Sequence, residues 1–233
     1  MSRQLLLEVI PAQGPTLSAT VAGANAPAIA ALTALERGRA LYLWGPPGSG
    51  RSHLLRALAG LRPTLLLGAG TSANAMMALA TNPTLEKAAE VIAIDDIQDL
   101  DEAQQAAVFA LYNRWRESAS TASAFAIVVT GDRAPLSMSL REDLRTRLGW
   151  DLVFRLEPLS DTDKSEALAT YAKKQGLPLS SDVLDWMLTH YSRDIRQLFA
   201  LIDALDRYSL SKHRTITVPL VRTMLADREF LQS

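Results

Sequence analysis

Up to about residue 156, short apolar runs of four to six residues alternate with longer stretches whose apolar positions recur every three or four residues. The runs Leu41–Trp44, Thr64–Leu67, Val91–Ile94, Phe125–Thr130 and Leu152–Arg155 read as strands buried on both sides, so the pattern predicts an α/β fold with a parallel sheet covered by helices on both faces. Between them, His53, Leu54, Leu55, Leu58 and Leu61 space as a helix. Asp101 and Gln104 open another in the manner of a capping box, with Ala103, Ala107, Leu111 and Trp115 following at steps of four. Residues 19 to 34 are rich in alanine, and no internal repeat or low-complexity tract is present.

From Ser160 onward the strand pattern stops. Ser160 and Asp163 cap a helix expected to end at Gly176, and Ser181 opens a second. Ile195, Leu198, Phe199, Ile202 and Leu205 stripe a third, and Pro219 sits in the first turn of a fourth. The change of pattern places a domain boundary near Leu159, which divides the chain into an N-terminal tail (1–15), an α/β domain (16–158) and a small all-helical domain (159–233).

Composition narrows the classes of function. With 233 residues, 48% of them hydrophobic, the chain can bury a substantial core, and a formal net charge of −1 lacks the basic footprint of a protein that binds nucleic acid directly. Cysteine is absent, so neither disulfides nor thiolate metal sites are available. The apolar start Leu5-Leu6-Leu7 is broken at Glu8 and closed by Pro11, too short for a signal peptide, and no run approaches membrane-spanning length. A cytoplasmic location and no membrane contact are expected.

The densest chemistry lies in Leu41-Tyr-Leu-Trp-Gly-Pro-Pro-Gly-Ser-Gly-Arg-Ser52. An apolar strand runs into a glycine-rich loop and then into a helix. That order lets backbone N–H groups and the positive helix terminus cradle phosphate oxygens. Gly45, Gly48, Ser49, Gly50, Arg51, Ser52 and His53 form the candidate phosphate site, with the Ser52 hydroxyl placed to ligate Mg²⁺. Lys is the usual residue before that hydroxyl. Arg51 is larger and carries its charge on a planar fork, so phosphate binding is expected to survive the change better than hydrolysis.

The buried run Val91-Ile-Ala-Ile-Asp-Asp96 ends in two carboxylates. In an open α/β sheet these face the ligand crevice, where Asp95 can hold Mg²⁺ and Asp96 can orient a water. Taken without the loop, the pair reads equally as a turn cap. Phe125-Ala-Ile-Val-Val-Thr-Gly-Asp-Arg-Ala-Pro135 ends a further strand in polar groups. Thr130 and Asp132 are within reach of an outer phosphate or its water, although Asp132 also suits a turn ahead of Pro135.

Loop, paired acids, the Thr-Gly-Asp-Arg-Ala-Pro segment, the arginine-rich helix Leu140-Arg-Glu-Asp-Leu-Arg-Thr-Arg-Leu148 and a helical lid together resemble an AAA+ module of the bacterial initiator DnaA type. The resemblance is closer to the Hda family of DnaA-related regulatory inactivators. Gly50-Arg-Ser-His-Leu-Leu55, Leu156-Glu-Pro-Leu-Ser-Asp-Thr-Asp-Lys164, Arg193-Asp-Ile-Arg-Gln-Leu-Phe199 and Leu205-Asp-Arg207 carry it. It implies bound ADP or ATP with Mg²⁺, and a role for Arg147 as an arginine finger offered in trans to a neighbour's nucleotide. Arg147 stands apart from Arg141 and Arg145, which share a helix face; from the residues alone all three read as solvated helix arginines. The resemblance further makes Arg196 the lid arginine that reads nucleotide in cis, with Arg193 the alternative, and lays Val21, Gly23 and Asn25 against the adenine.

Gln4-Leu5-Leu6-Leu7-Glu8 resembles the pentapeptide by which that family binds the sliding clamp, the β subunit of DNA polymerase III. Gln4, Leu5 and Leu7 would be the anchors. Leu6 and Glu8 depart from the usual pattern, and the segment also suits docking on the chain's own surface. The implied function is a clamp-dependent stimulator of hydrolysis of DnaA-bound ATP, working as a homodimer or small oligomer, with little ATPase of its own. The alternative is a self-hydrolysing AAA+ loader or transposition-type accessory ATPase, against which Arg51 and the short lead-in before Gly45 weigh. An initiator would need a basic DNA-binding domain after the lid, which is not expected from the residues up to Ser233.

Overall fold

A computed structural model describes residues 16–17, 20–82, 89–177, 179–192 and 194–227. The chain forms two compact units, the first running to Pro158 and the second beginning at Leu159.

In the first unit, strands β1 (Ala40–Trp44), β2 (Thr64–Leu67), β3 (Val91–Ile94), β4 (Ala126–Gly131) and β5 (Leu152–Arg155) pair in parallel in the order β2-β3-β4-β1-β5. Strand alternation sends Leu41 and Leu43 into one core with Leu32, Leu54 and Leu55, and Tyr42 into the other with Ile127, Val129, Leu111 and Tyr112. Two buried faces explain the uninterrupted apolar runs of β1, β3 and β4, whereas the edge strands β2 and β5 leave Leu66 and Val153 exposed and so are not buried on both sides as expected. Because β1 lies between β4 and β5, and β3 lies beyond β4, the carboxyl ends of β1, β4 and β3 stand side by side at one edge.

Helices α1 (Ala26–Thr33), α2 (Arg51–Ala59), α3 (Ala73–Thr81), α4 (Glu102–Ser118) and α5 (Glu142–Leu148) complete this unit. The capping box of α4 has both arms: the Gln104 N–H donates to Asp101 Oδ1 at 2.8 Å, and the Asp101 N–H donates to Gln104 Oε1 at 2.8 Å. The expected stripe needs one correction, since Ala103 is exposed and the buried side runs Ala107, Val108, Leu111, Tyr112 and Trp115. Strict steps of four advance about 40° beyond a full turn each time, so a buried face must take in neighbours at steps of three. Helix α2 starts two residues ahead of His53, and β4 lies one residue later than expected.

The second unit is helical among its described residues: α6 (Asp161–Lys174), α7 (Ser181–His190), α8 (Ile195–Lys212) and α9 (Val218–Ala226). Ser160 caps α6 reciprocally with Asp163, as the sequence predicts. Leu198, Ile202 and Leu205 of α8 are buried in a core with Leu168, Met187 and Val221, while Ile195 and Phe199 pack at its margin. No helix among the described residues is long and apolar enough to cross a membrane.

At the other end of the sheet, Arg39 donates from Nε and Nη2 to the two Asp151 oxygens, each at 2.7 Å, and the Ala40 N–H donates to Asp151 Oδ2 at 2.9 Å. This clip joins the starts of β1 and β5. The Arg39 fork, followed by the backbone hydrogen bond, outweighs partial burial and holds the Asp151 carboxyl below the usual carboxylate range. A depressed folded-state value stabilises above the unfolded carboxylate's pKa and is lost as pH falls through the folded one. Asp151→Asn should therefore lower the stability measured by urea unfolding at neutral pH by about 1 kcal/mol or less, since Arg39 is half exposed. The variant and parent curves should converge as pH falls from ~4 toward 2, and parallel curves would show that the clip contributes nothing pH-dependent.

Candidate functional site

At the carboxyl end of β1 the chain turns through Gly45 to Gly50 into α2. Gly48 and Gly50 take φ of +81° and +94°, the left-handed region that glycine adopts without steric cost, and a Cβ at either would meet no heavy atom within 4 Å. Both positions therefore face open space. Gly50 is the N-cap of α2 and no side chain caps the helix, which leaves first-turn N–H groups for a ligand. Ser49 is 5% exposed, and its Oγ has no hydrogen-bond partner. A buried hydroxyl left unmatched is costly, and a phosphate oxygen would satisfy it. The cradle fits a nucleoside phosphate.

Arg51 is engaged by the chain itself. Its Nη1 donates to the Gly45 carbonyl and, at 3.2 Å, to the Gly131 carbonyl, while Nη2 lies 2.8 Å from Asp96 Oδ1. The guanidinium thus spans the ends of β1, β4 and β3, and its side chain is only 11% exposed. Asp96 Oδ1 is shielded from solvent and receives no directed hydrogen bond, so charge holds the pair.

Thr130, fully buried at the end of β4, organises the two acids. Its hydroxyl donates to Asp95 Oδ1 at 2.8 Å and accepts the Asp96 N–H at 2.8 Å. Asp96 takes a left-handed φ of +48°, a conformation Asp tolerates better than most side chains. Asp132 is claimed by its neighbour: Arg133 Nη2 donates to Oδ2 at 2.6 Å and Nε to Oδ1 at 3.0 Å, which lowers the carboxyl's pKa. Among the described residues no group of three or more His, Cys, Asp or Glu could hold a metal ion. A Mg²⁺ here would depend on Ser52, in the first turn of α2, on Asp95, and on phosphate and water oxygens, a set that suits this ion.

In the lead-in segment, Gly23 and Asn25 form a short 3-10 turn, with Val21 just before it. Asn25 is buried, and its amide pairs with the Glu157 backbone: Nδ2 donates to the carbonyl and Oδ1 accepts the N–H, both at 2.8 Å. It clasps the segment to the chain just after β5. His53 Nε2 lies 3.0 Å from Thr20 Oγ1, tying α2 to the same segment.

Arg147 is packed rather than free. Its Nη1 donates to the Phe109 carbonyl at 3.0 Å, and its guanidinium lies 3.5 Å from the Phe109 ring centroid and 5.0 Å from that of Trp150. Arg141 stands over Phe109 at 5.6 Å and Arg116 over Trp150 at 4.9 Å, so cations and rings alternate along the α4–α5 surface. Partial burial lowers the Arg147 pKa without discharging it at neutral pH. The sequence pattern does not reveal Phe109 as its support, since α4 and α5 are joined through an intervening strand; Trp150, three residues on, lies within reach of a local one. Arg196 falls in the first turn of α8. Arg193, and the tail residues Gln4, Leu5 and Leu7, lie outside the described residues.

Comparison with known proteins places this geometry. Residues 161–225 match the family model described as Hda, lid domain. The fold resembles domain III of the Thermotoga maritima replication initiation protein DnaA, with a TM-score of 0.69 at 19% identity over 91% of this chain and 95% of that one. AMPPCP-bound DnaA from Aquifex aeolicus matches with a TM-score of 0.64 at 21% identity, over 82% of this chain and 65% of that chain. The Thermotoga maritima RuvB Holliday junction branch migration motor gives 0.64 at 19%, over 84% and 64%. The chain thus spans just under two thirds of those last two proteins. The expected AAA+ architecture, a parallel five-stranded sheet followed by a helical lid, is the one observed, and the resemblance to Hda is met over the lid residues.

Thr130→Val keeps the shape of the side chain and removes the hydroxyl that serves both acids. It should cost about 1–3 kcal/mol of stability in urea unfolding, the cost of unmatched buried polar groups. It should also weaken nucleotide binding if the Asp95–Asp96 geometry matters to the site. Unchanged stability would show that water replaces the hydroxyl.

Proposed function

We propose that this chain, which carries the Hda lid over residues 161–225, is a regulator of DnaA rather than a motor. It holds an adenine nucleotide, with ADP the resident species, and offers Arg147 to the ATP bound by a neighbouring DnaA subunit. The observation that carries this reading is an Hda lid joined to a DnaA-type nucleotide-binding fold. A guanidinium supplied where negative charge develops in phosphoryl transfer accelerates hydrolysis by ~10³–10⁵ where it acts fully. Packing between Phe109 and Trp150 would keep that group ordered before the partner arrives.

The tail supplies recruitment in this reading: Gln4, Leu5 and Leu7 dock into a groove of the sliding clamp, the β subunit of DNA polymerase III, so that DnaA–ATP is removed where replication is under way. The chain acts in the cytoplasm as a homodimer or small oligomer and does not bind DNA sequence-specifically. Ser52 and Asp95 would hold Mg²⁺, which neutralises phosphate charge when bound. Arg196 reads the nucleotide in cis, and Val21 and Gly23 contribute to the adenine side. Asn25 acts there through the clasp it forms.

Purified protein should release ADP on denaturation and chromatography and should turn over ATP slowly by itself. Absence of any adenine nucleotide, with none bound on addition, would remove the nucleotide reading; rapid turnover by the chain alone would put a self-hydrolysing loader in its place.

Recruitment and chemistry should separate genetically. Gln4→Ala, or Leu5 and Leu7 both to Ala, should abolish clamp binding in a pull-down while the protein still carries nucleotide. Arg147→Ala should keep clamp binding and lose at least about 10³-fold of the stimulated DnaA–ATP hydrolysis. A finger variant that stimulates as the parent does would show that Arg147 serves only its own surface.

A further inference from the structure

The loop charge of this site is spent on the chain itself. A lysine at position 51 would project one compact charge toward the outer phosphates. The Arg51 fork instead holds two strand-end carbonyls through Nη1 and the Asp96 carboxylate through Nη2. The inner phosphates do not need it, because the open cradle, the uncapped start of α2 and the unmatched Ser49 hydroxyl supply their contacts.

A third phosphate changes the balance. It brings added negative charge toward the end of β3, where Asp95 and Asp96 already stand. If Arg51 stays on Asp96, the outer phosphate meets those acids without a loop cation. If Arg51 swings to the phosphate, Asp96 Oδ1, shielded from solvent and lacking any directed hydrogen bond, loses its counter-charge. Both routes penalise a triphosphate and spare a diphosphate.

We propose that Asp96, acting through its ion pair with Arg51, is the residue that sets the preference of this site for a nucleoside diphosphate over a triphosphate. The inference rests on the reading that the loop holds a nucleotide. Asp96 works as a specificity determinant by retaining the loop cation, in place of orienting a hydrolytic water.

Calorimetric titration of the nucleotide-stripped full chain with ADP and with AMPPCP, at fixed Mg²⁺, tests this. Asp96→Asn keeps a residue that tolerates the left-handed backbone and removes its charge. It should raise the ratio of AMPPCP to ADP affinity about tenfold, the scale of one shielded charge pair at close range. Arg51→Lys, which cannot fork across three partners, should shift the ratio the same way. In an Arg51→Ala background the Asp96→Asn change should alter the ratio by no more than about twofold, because the effect passes through the guanidinium. An unchanged ratio in both single variants overturns the proposal. So does an Asp96→Asn shift that persists without Arg51, which would mean simple repulsion by the carboxylate. A parent that binds neither ligand overturns the nucleotide reading along with it.

Discussion

The ends of three neighbouring strands converge on one guanidinium. Parallel strands finish together at the same edge of a sheet, and they leave carbonyl oxygens and, here, two carboxylates with few cations to face. Arg51 enters this edge from the first turn of α2 and binds the Gly45 and Gly131 carbonyls and Asp96 at once. The placement follows from strand order: with β4 between β1 and β3, one long side chain rooted beside β1 can reach the end of β3 only across β4. The turn into the loop is fixed from the other side as well. A Cβ on Gly45 would come within 2.3 Å of the Leu156 carbonyl, so the loop's first residue has no room to retreat.

The acids depend on the same edge but on a different atom. Thr130 uses its one proton on the Asp95 carboxylate and a lone pair on the Asp96 backbone N–H, so one neutral side chain ties down two consecutive residues at the end of β3. Asp132, two residues further along, is held by Arg133 and also feels the Arg51 charge.

Much of the fold was legible because its signals are contiguous. Each strand is a short apolar run, and both foreseen capping boxes are four-residue patterns whose two arms are present. Helices α1 and α3 were not legible from periodicity, because alanine fills their positions and small side chains draw no stripe. Pro27 in the first turn of α1 and Ser72, whose hydroxyl caps α3, are the signals that could have marked them. The phosphate loop and the paired acids were readable for the same reason as the strands. The Arg51–Asp96 pair and the Arg147–Phe109 contact were not, because each joins residues brought together only by strand order and helix packing. Asn25 shows the limit most plainly: nothing in the lead-in sequence points to the paired hydrogen bonds its amide makes with Glu157.

The bed of Arg147 bears on how long a complex would last. A free arginine gives up as much as ~2 kcal/mol of rotamer entropy when an interface immobilises it. Arg147 gives up much of that freedom during folding, against Phe109 and Trp150 of its own chain. Under the proposed reading, an encounter that uses such a pre-set group loses less freedom on forming, so a given set of contacts gives tighter and longer-lived engagement than the same arginine on a free side chain would.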